Sequence, residues 1–289
     1  MMRGGEAAMA FDEGAVRQAA AAIRCDILRM IALAKSGHPG GSLSAADILA
    51  LLYNGGVLRH RPQDPNWPGR DRFILSKGHA APVLYATLAQ AGYFDKGELA
   101  TLRRLGSRLQ GHPDYRKLPG VEASTGSLGQ GLSIAAGMAL GLASEDVSRR
   151  VYVLLGDGEL QEGQVWEAAM FAAHRGLSNL IAIVDANGLQ IDGPTDEVLS
   201  LGDVGAKFAA FGWAVHELDG HDILALKEAF DTIIASAKGP SVIIARTVKG
   251  KGVDFMEGEC GWHGKAPTDE QCAGALETLE LSATEGGQP

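Results

Sequence analysis

The sequence predicts an α/β fold, a doubly wound, mostly parallel sheet with helices on both faces. Three observations carry that prediction. Continuous apolar runs at 151–155, 180–184 and 241–247 have the character of strands buried on both sides. Helix-length segments alternate with them. The connections are long enough for crossovers, which parallel neighbours require.

The elements follow in order. Residues 11–35 read as a long helix with Ile23, Ile27, Ile31 and Ala34 on one face. Ser36-Gly37-His38-Pro39-Gly40-Gly41 breaks the pattern. A second helix begins near Ser44, placed to cap it, with Asp47 three positions on as in a capping box. Residues 54–71 read as a polar, Pro-containing loop, and Phe73-Ile74-Leu75 as a short strand. Pro82 suits the first turn of the next helix, which runs to about Gln90 and stops at Gly92. Residues 93–125 read mostly as loop, with a short helix near 98–105. Gly126-Ser127-Leu128-Gly129-Gln130-Gly131 opens a small-residue helix ending at Ala143. Gly137 and Gly141, four apart on it, leave room for another element against the backbone.

Strand 151–155 leads to a helix over 162–175, with Trp166, Ala169, Met170 and Ala173 on one side. Strand 180–184, a short helix at 206–211, strand 213–218 and a helix over 222–238 follow. Gly239-Pro240 ends that helix before strand 241–247. Residues 268–284 suit one further helix. Residues 1–10 and 285–289 read as tails, leaving 11–284 as a single domain without repeat or linker.

Composition excludes several function classes. With 26 Lys and Arg against 35 Asp and Glu, the net charge is −9, and no basic stripe offers a nucleic-acid footprint. No run of 18 apolar residues suggests a membrane span, and residues 1–10 lack the plan of a signal peptide. Cys25, Cys260 and Cys272 show neither metal-ligand spacing nor a disulfide framework, which suits reduced thiols in a cytoplasmic protein.

The chemistry concentrates in Gly156-Asp157-Gly158-Glu159 and, thirty residues after Asp157, Asn187. Each lies just past the carboxyl end of an expected strand, where open α/β sheets bind ligands. One helix and one strand fit between, so both side chains reach the same sheet edge. A carboxylate, an amide oxygen and a nearby backbone carbonyl are hard donors suited to Mg²⁺, with places left for phosphate oxygens and water. Gly156 and Gly158 let backbone N–H groups approach a phosphate. The alternative is that Asp157 and Asn187 only cap turns after strands.

At these residues the sequence resembles the thiamine-diphosphate enzymes, whose signature is Gly-Asp-Gly, about thirty residues, then Asn. Further segments resemble transketolases in particular: Ser36-Gly37-His38-Pro39-Gly40, Leu75-Ser76-Lys77-Gly78-His79-Ala80, Gly111-His112-Pro113, the stretch 125–131, Gly156 through Gly163, Lys249-Gly250-Lys251-Gly252 and Trp262-His263-Gly264-Lys265-Ala266-Pro267. They run in family order from about residue 16 to 270.

The resemblance implies the following roles. Asp157, Asn187 and the Leu189 carbonyl would hold Mg²⁺, or Ca²⁺ or Mn²⁺ in its place. His79, Gly158 and His263 would contact the diphosphate, beside Gly156 and Glu159. Gly126 and Leu128 would meet the aminopyrimidine and Ile191 the ring region. His38, His79, His112 and His263 would face the substrate channel, with Glu162 and Glu167 at the subunit interface near the cofactor. His60, His174, His216 and His221 match no motif and read as surface or structural residues.

In the family, the glutamate that protonates the pyrimidine and the aromatic side chain that stacks on it lie in a second α/β domain. The resemblance therefore implies a split transketolase. This chain would be its N-terminal subunit, working with a separate C-terminal subunit in an α2β2 assembly and moving a two-carbon ketol unit between sugars or sugar phosphates. Other split thiamine-diphosphate enzymes are the near alternatives: the α chain of a 2-oxoacid dehydrogenase, or a deoxyxylulose-phosphate synthase relative. A non-catalytic cofactor-binding homologue is a third. A dinucleotide-binding oxidoreductase is disfavoured, because Gly126 to Gly131 reads G-x-x-G-x-G and no strand precedes it.

Overall fold

A computed structural model describes residues 11–236 and 238–285. The chain opens with α1 (Glu13–Ala34), capped by the Asp12 carboxylate, which accepts from the Ala15 N–H at 3.1 Å. Next come α2 (Pro39–Leu43), α3 (Ala46–Asn54), β1 (Arg72–Leu75) and α4 (Ala81–Gln90). After a long loop containing one 3₁₀ turn, Lys96–Thr101, the chain forms α5 (Gln130–Ala143), β2 (Val151–Gly156), α6 (Gly163–His174) and β3 (Leu180–Ala186). A small antiparallel hairpin follows, β4 (Leu189–Gln190) with β5 (Gly193–Pro194). The remaining elements are α7 (Thr195–Leu199), α8 (Val204–Ala210), β6 (Ala214–Asp219), α9 (Ile223–Ser236), β7 (Ser241–Arg246) and α10 (Asp269–Glu285).

The main sheet has the order β1-β2-β3-β7-β6, and every pairing in it is parallel. Alternate residues of its strands feed two cores. Tyr152, Leu154, Ile181, Ile183 and Ile243 join the core built with α1, α3, α4 and α9. Val151, Val153, Leu155, Ala182 and Val184 join the core built with α5 and α6. The doubly wound sheet expected from the sequence is thus present, with helices on both faces. At its rim β6 is less covered: Ala214, Glu217 and Asp219 are exposed. Among the described residues no helix is long and apolar enough to cross a membrane.

Four local expectations need correction. Ser44 does not cap a helix: α3 starts after Ala45 with no side-chain cap, and the Ser44 hydroxyl donates to Asp185 Oδ2 at 2.5 Å. Asp47 does not complete a capping box either. It is buried and paired with Arg24 at 2.5 Å. The Gly- and Pro-containing break at 36–41 is in part a helix, because Pro39 sits in the first turn of α2 and all five residues of α2 are buried by tertiary neighbours. On α6 the buried stripe is Val165, Ala168, Ala169 and Ala172, which leaves Met170 56% exposed. The expected tails at 1–10 and 286–289 lie outside the described residues, and residue 285 ends α10.

Candidate functional site

The parallel register pairs Gly156 of β2 with Asp185 of β3, so both strands end at one level. Asp157 follows one tip and Asn187 the other. Both line a cavity of about 370 Å³, together with Leu189, Gln190 and Ile191 of the hairpin region. His38, His79, His263, Lys77 and Lys249 line it too, as do Gly126, Leu128, Gly156, Gly158, Glu159 and Glu162. That volume lies within the range of small-molecule sites. Of the residues singled out from the sequence, His112 is not among those lining the cavity. It lies behind Gly126, where an added Cβ would come within 2.8 Å of its ring. Gly126 has φ +136, so it also needs glycine's backbone freedom. Glu167 is exposed on α6 and does not line the cavity.

Asp157 is 7% exposed. Its carboxylate accepts from the Gly158 N–H at 2.8 Å and the Gly188 N–H at 2.5 Å. Burial, then repulsion from Asp185, pushes its pKa up to about 6 despite those two donors. Asn187 Oδ1 accepts from the Leu189 N–H at 3.2 Å, and the Leu189 carbonyl faces Lys249 Nζ at 3.2 Å. A buried, under-compensated carboxylate beside an amide oxygen and a carbonyl fits a hard divalent cation. The sequence-predicted metal set therefore suits the ion chemically.

Three histidine rings pack together. Centroids lie 5.3 Å apart for His38 and His79, 5.4 Å for His38 and His263, and 4.9 Å for His79 and His263. Burial and then Arg103 lower His38 to about 4. Burial and then Lys77 lower His79 to about 2. Burial and then Lys249 lower His263 to about 4. All three are neutral imidazoles near pH 7. Lys249 itself is lowered to about 8 by burial and by Lys77, and its Nζ lies 3.1 Å from His263 Nδ1.

Two buried acids support these groups. Asp185, fully buried, accepts from Lys77 Nζ, Ser44 Oγ and Thr247 Oγ1. Burial alone would raise its pKa, but the Lys77 charge and the donated bonds hold it below the usual carboxylate range. Glu159 accepts from Ser76 Oγ, from the Gly129 N–H at 2.9 Å and from the Gly156 N–H at 3.0 Å. Sequence reasoning assigns no roles to Lys77, Asp185, Lys249 or Arg103. A signal exists for the two lysines, which stand inside segments that resemble transketolases. For Asp185 the only hint is an acid ending an apolar strand.

The sequence matches the family described as transketolase, thiamine diphosphate binding domain, over residues 15–284. It is 46% identical over 244 residues to the 6-deoxy-6-sulfo-D-fructose transketolase subunit of Clostridium sp., covering 84% of this chain and 88% of that one. Against one of the subunits of the apulose-4-phosphate transketolase of Actinobacillus succinogenes it is 43% identical over 273 residues, covering 94% and 98%. The solved transketolase of Leishmania mexicana superposes with a TM-score of 0.86 at 31% identity. That match covers 94% of this chain and 45% of the other, so the chain spans less than half of that transketolase. The chain belongs to the transketolase family and corresponds to its thiamine-diphosphate-binding domain.

Proposed function

We propose that this chain is the N-terminal, cofactor-anchoring subunit of a two-chain transketolase. Residues 11–284 act as one domain that binds thiamine diphosphate through a divalent cation, Mg²⁺ in the first place. The observation that carries this reading is the convergence of Asp157, Asn187 and the Leu189 carbonyl at neighbouring strand tips, in one cavity with three neutral histidines.

Asp157 and Asn187 would hold the ion through side-chain oxygens, and Leu189 through its carbonyl. Gly156 and Gly158, without side chains, leave room in the cavity for the diphosphate, which His79 and His263 would contact. Lys249 supplies positive charge there, since it forms no carboxylate ion pair among the described residues. Gly126, Leu128 and Ile191 would border the organic rings. Bound there, the cofactor would supply the nucleophilic carbon that two-carbon ketol transfer from a ketose to an aldose requires. His38, His79 and His263, being neutral, exchange hydrogen bonds with sugar oxygens, and His79 and His263 relay a proton through an imidazole nitrogen when one must move. Glu162, exposed at the cavity rim, would meet the partner subunit. The relatives matched over most of their length are themselves described as subunits of transketolases named for a sugar or sugar phosphate, which supports a separate partner chain and substrates of that class. On this reading the partner is a C-terminal subunit bearing the pyrimidine-binding domain, in a cytoplasmic α2β2 assembly.

Calorimetry with thiamine diphosphate and Mg²⁺ tests the reading. Asp157→Ala should abolish ion-dependent cofactor binding and leave the circular dichroism spectrum unchanged. Unaltered affinity in that variant would sink the metal assignment. Ketol transfer between sugar phosphates should require the partner chain, and full turnover without it would overturn the split arrangement.

A further inference from the structure

We propose that Arg103 is a positioning residue that fixes His38 as the neutral tautomer carrying its proton on Nε2. Arg103 Nη2 lies 3.3 Å from His38 Nδ1. A guanidinium has only donors, so Nδ1 must offer its lone pair. A neutral imidazole carries one N–H, which is thereby assigned to Nε2. His38 lines the cavity, and among the described residues no group hydrogen-bonds its Nε2. The N–H is left for an oxygen acceptor that enters.

The guanidinium is itself held. Arg103 Nη1 donates to Ser36 Oγ at 2.8 Å. Its backbone is left-handed, with φ 59, and its N–H donates to the Leu109 carbonyl at 2.8 Å. Gly111 makes room for it: a Cβ there would lie 3.2–3.3 Å from Nε, Cζ and Nη2 of Arg103. This gives a physical reason for the glycine in Gly111-His112-Pro113.

The other groups facing His38 do not oppose this state. The His79 and His263 rings flank it, and Arg103, His112 and Lys249 each disfavour its protonation, with burial the largest cause. No carboxylate is among the groups acting on it. The ring therefore remains a neutral Nε2–H donor through neutral pH. The consequence for catalysis rests on the proposed transketolase reading: His38 would meet a carbonyl or hydroxyl oxygen of the sugar as a donor.

Long-range proton–nitrogen spectra of the full chain, labelled with nitrogen-15, read the tautomer directly, with the His38 signals identified by their loss in His38→Gln. In the wild type at neutral pH, Nδ1 should be unprotonated and Nε2 protonated. A hydrogen bond from a charged donor favours that tautomer by roughly ten- to hundredfold. Arg103→Met should give mixed tautomers and a higher titration point for His38, whereas Arg103→Lys, which keeps a cationic donor, should retain much of the preference. A wild-type ring protonated on Nδ1, or averaged between tautomers, would overturn the proposal. So would an Arg103→Met spectrum identical to wild type. If Arg103→Met does not fold, Arg103→Gln, which removes the charge and keeps a polar side chain, takes its place with the same two outcomes. Failure of the transketolase reading would appear in cofactor binding and ketol transfer and would leave this spectrum as it is.

Discussion

Lys77→Met tests the electrostatic foundation of the site. Lys77 is 2% exposed and Asp185 is fully buried, so neither has bulk water to fall back on. At an effective dielectric constant near 20, two unit charges about 4 Å apart attract by roughly 4 kcal/mol. Removing the cation leaves a buried carboxylate with two hydroxyl donors, Ser44 and Thr247, and the loss of one partner of a buried pair costs about 3–5 kcal/mol. Urea unfolding of the chain, followed by tryptophan fluorescence and circular dichroism, should show a loss of that size at neutral pH. Adding Asp185→Asn to Lys77→Met removes the stranded charge and should recover most of it. The pH dependence has a definite sign. In the wild type Asp185 is held below its ordinary value of 3.8, so its contribution is present above that pH and is lost as the pH falls through its lower folded value. In Lys77→Met the folded value rises instead, so acidification relieves the variant and the gap to wild type narrows as the pH falls through that raised value. A variant within about 1 kcal/mol of wild type at neutral pH, or a double variant no more stable than the single one, would refute the reasoning.

Two further outcomes are expected. Because Asp157 takes up a proton below about 6 and a protonated acid is a poor ligand, the apparent affinity for thiamine diphosphate with Mg²⁺ should fall about tenfold per pH unit below that point, measured by calorimetry; an affinity flat down to about pH 5 would contradict it. Gly131→Ala would place a Cβ 2.7 Å from Ser76 Cα and closer still to its Cβ and Oγ, against a fully buried residue, and should cost about 1–3 kcal/mol in urea unfolding; stability equal to wild type would mean that this contact yields freely.

The strands and the Asp157–Asn187 pair are legible because periodicity and spacing report them directly. Apolar runs mark β2, β3 and β7, and the thirty-residue spacing from Asp157 to Asn187 brings two strand tips together. What stays hidden depends on partners far along the chain. Ser44 satisfies the local rule for a helix cap, but an acceptor 141 residues away takes its hydroxyl. His38-Pro39-Gly40-Gly41 reads locally as a breaker, yet tertiary burial makes α2 helical. The half-exposed Met170 shows the same limit: periodicity places a buried stripe on α6 but leaves its phase off by about one position. Arg103 falls in the expected short helix near 98–105, yet the 3₁₀ turn there ends at Thr101 and Arg103 is left-handed, and nothing in its neighbourhood announces contact with Ser36 and His38.

The two acids of Gly156-Asp157-Gly158-Glu159 show why a motif does not translate residue by residue into ligand contacts. Asp157 offers its carboxylate at the cavity. Glu159 is 3% exposed, and its oxygens are engaged by Ser76, Gly129 and Gly156, which belong to three separate segments of the chain. Asp185 does the same for Ser44, Lys77 and Thr247. Between them, two buried carboxylates gather groups that are remote in sequence from the tips of β1, β2 and β7 and from the turns before α3 and α5. Each is expensive to bury and is stabilised only when all of its donors arrive together. The cavity is thus assembled by the residues that the ligand does not need to touch. A loss of cofactor affinity on replacing Glu159 would by itself be no evidence of contact between them, because the same substitution loosens the segment that carries Gly126 and Leu128.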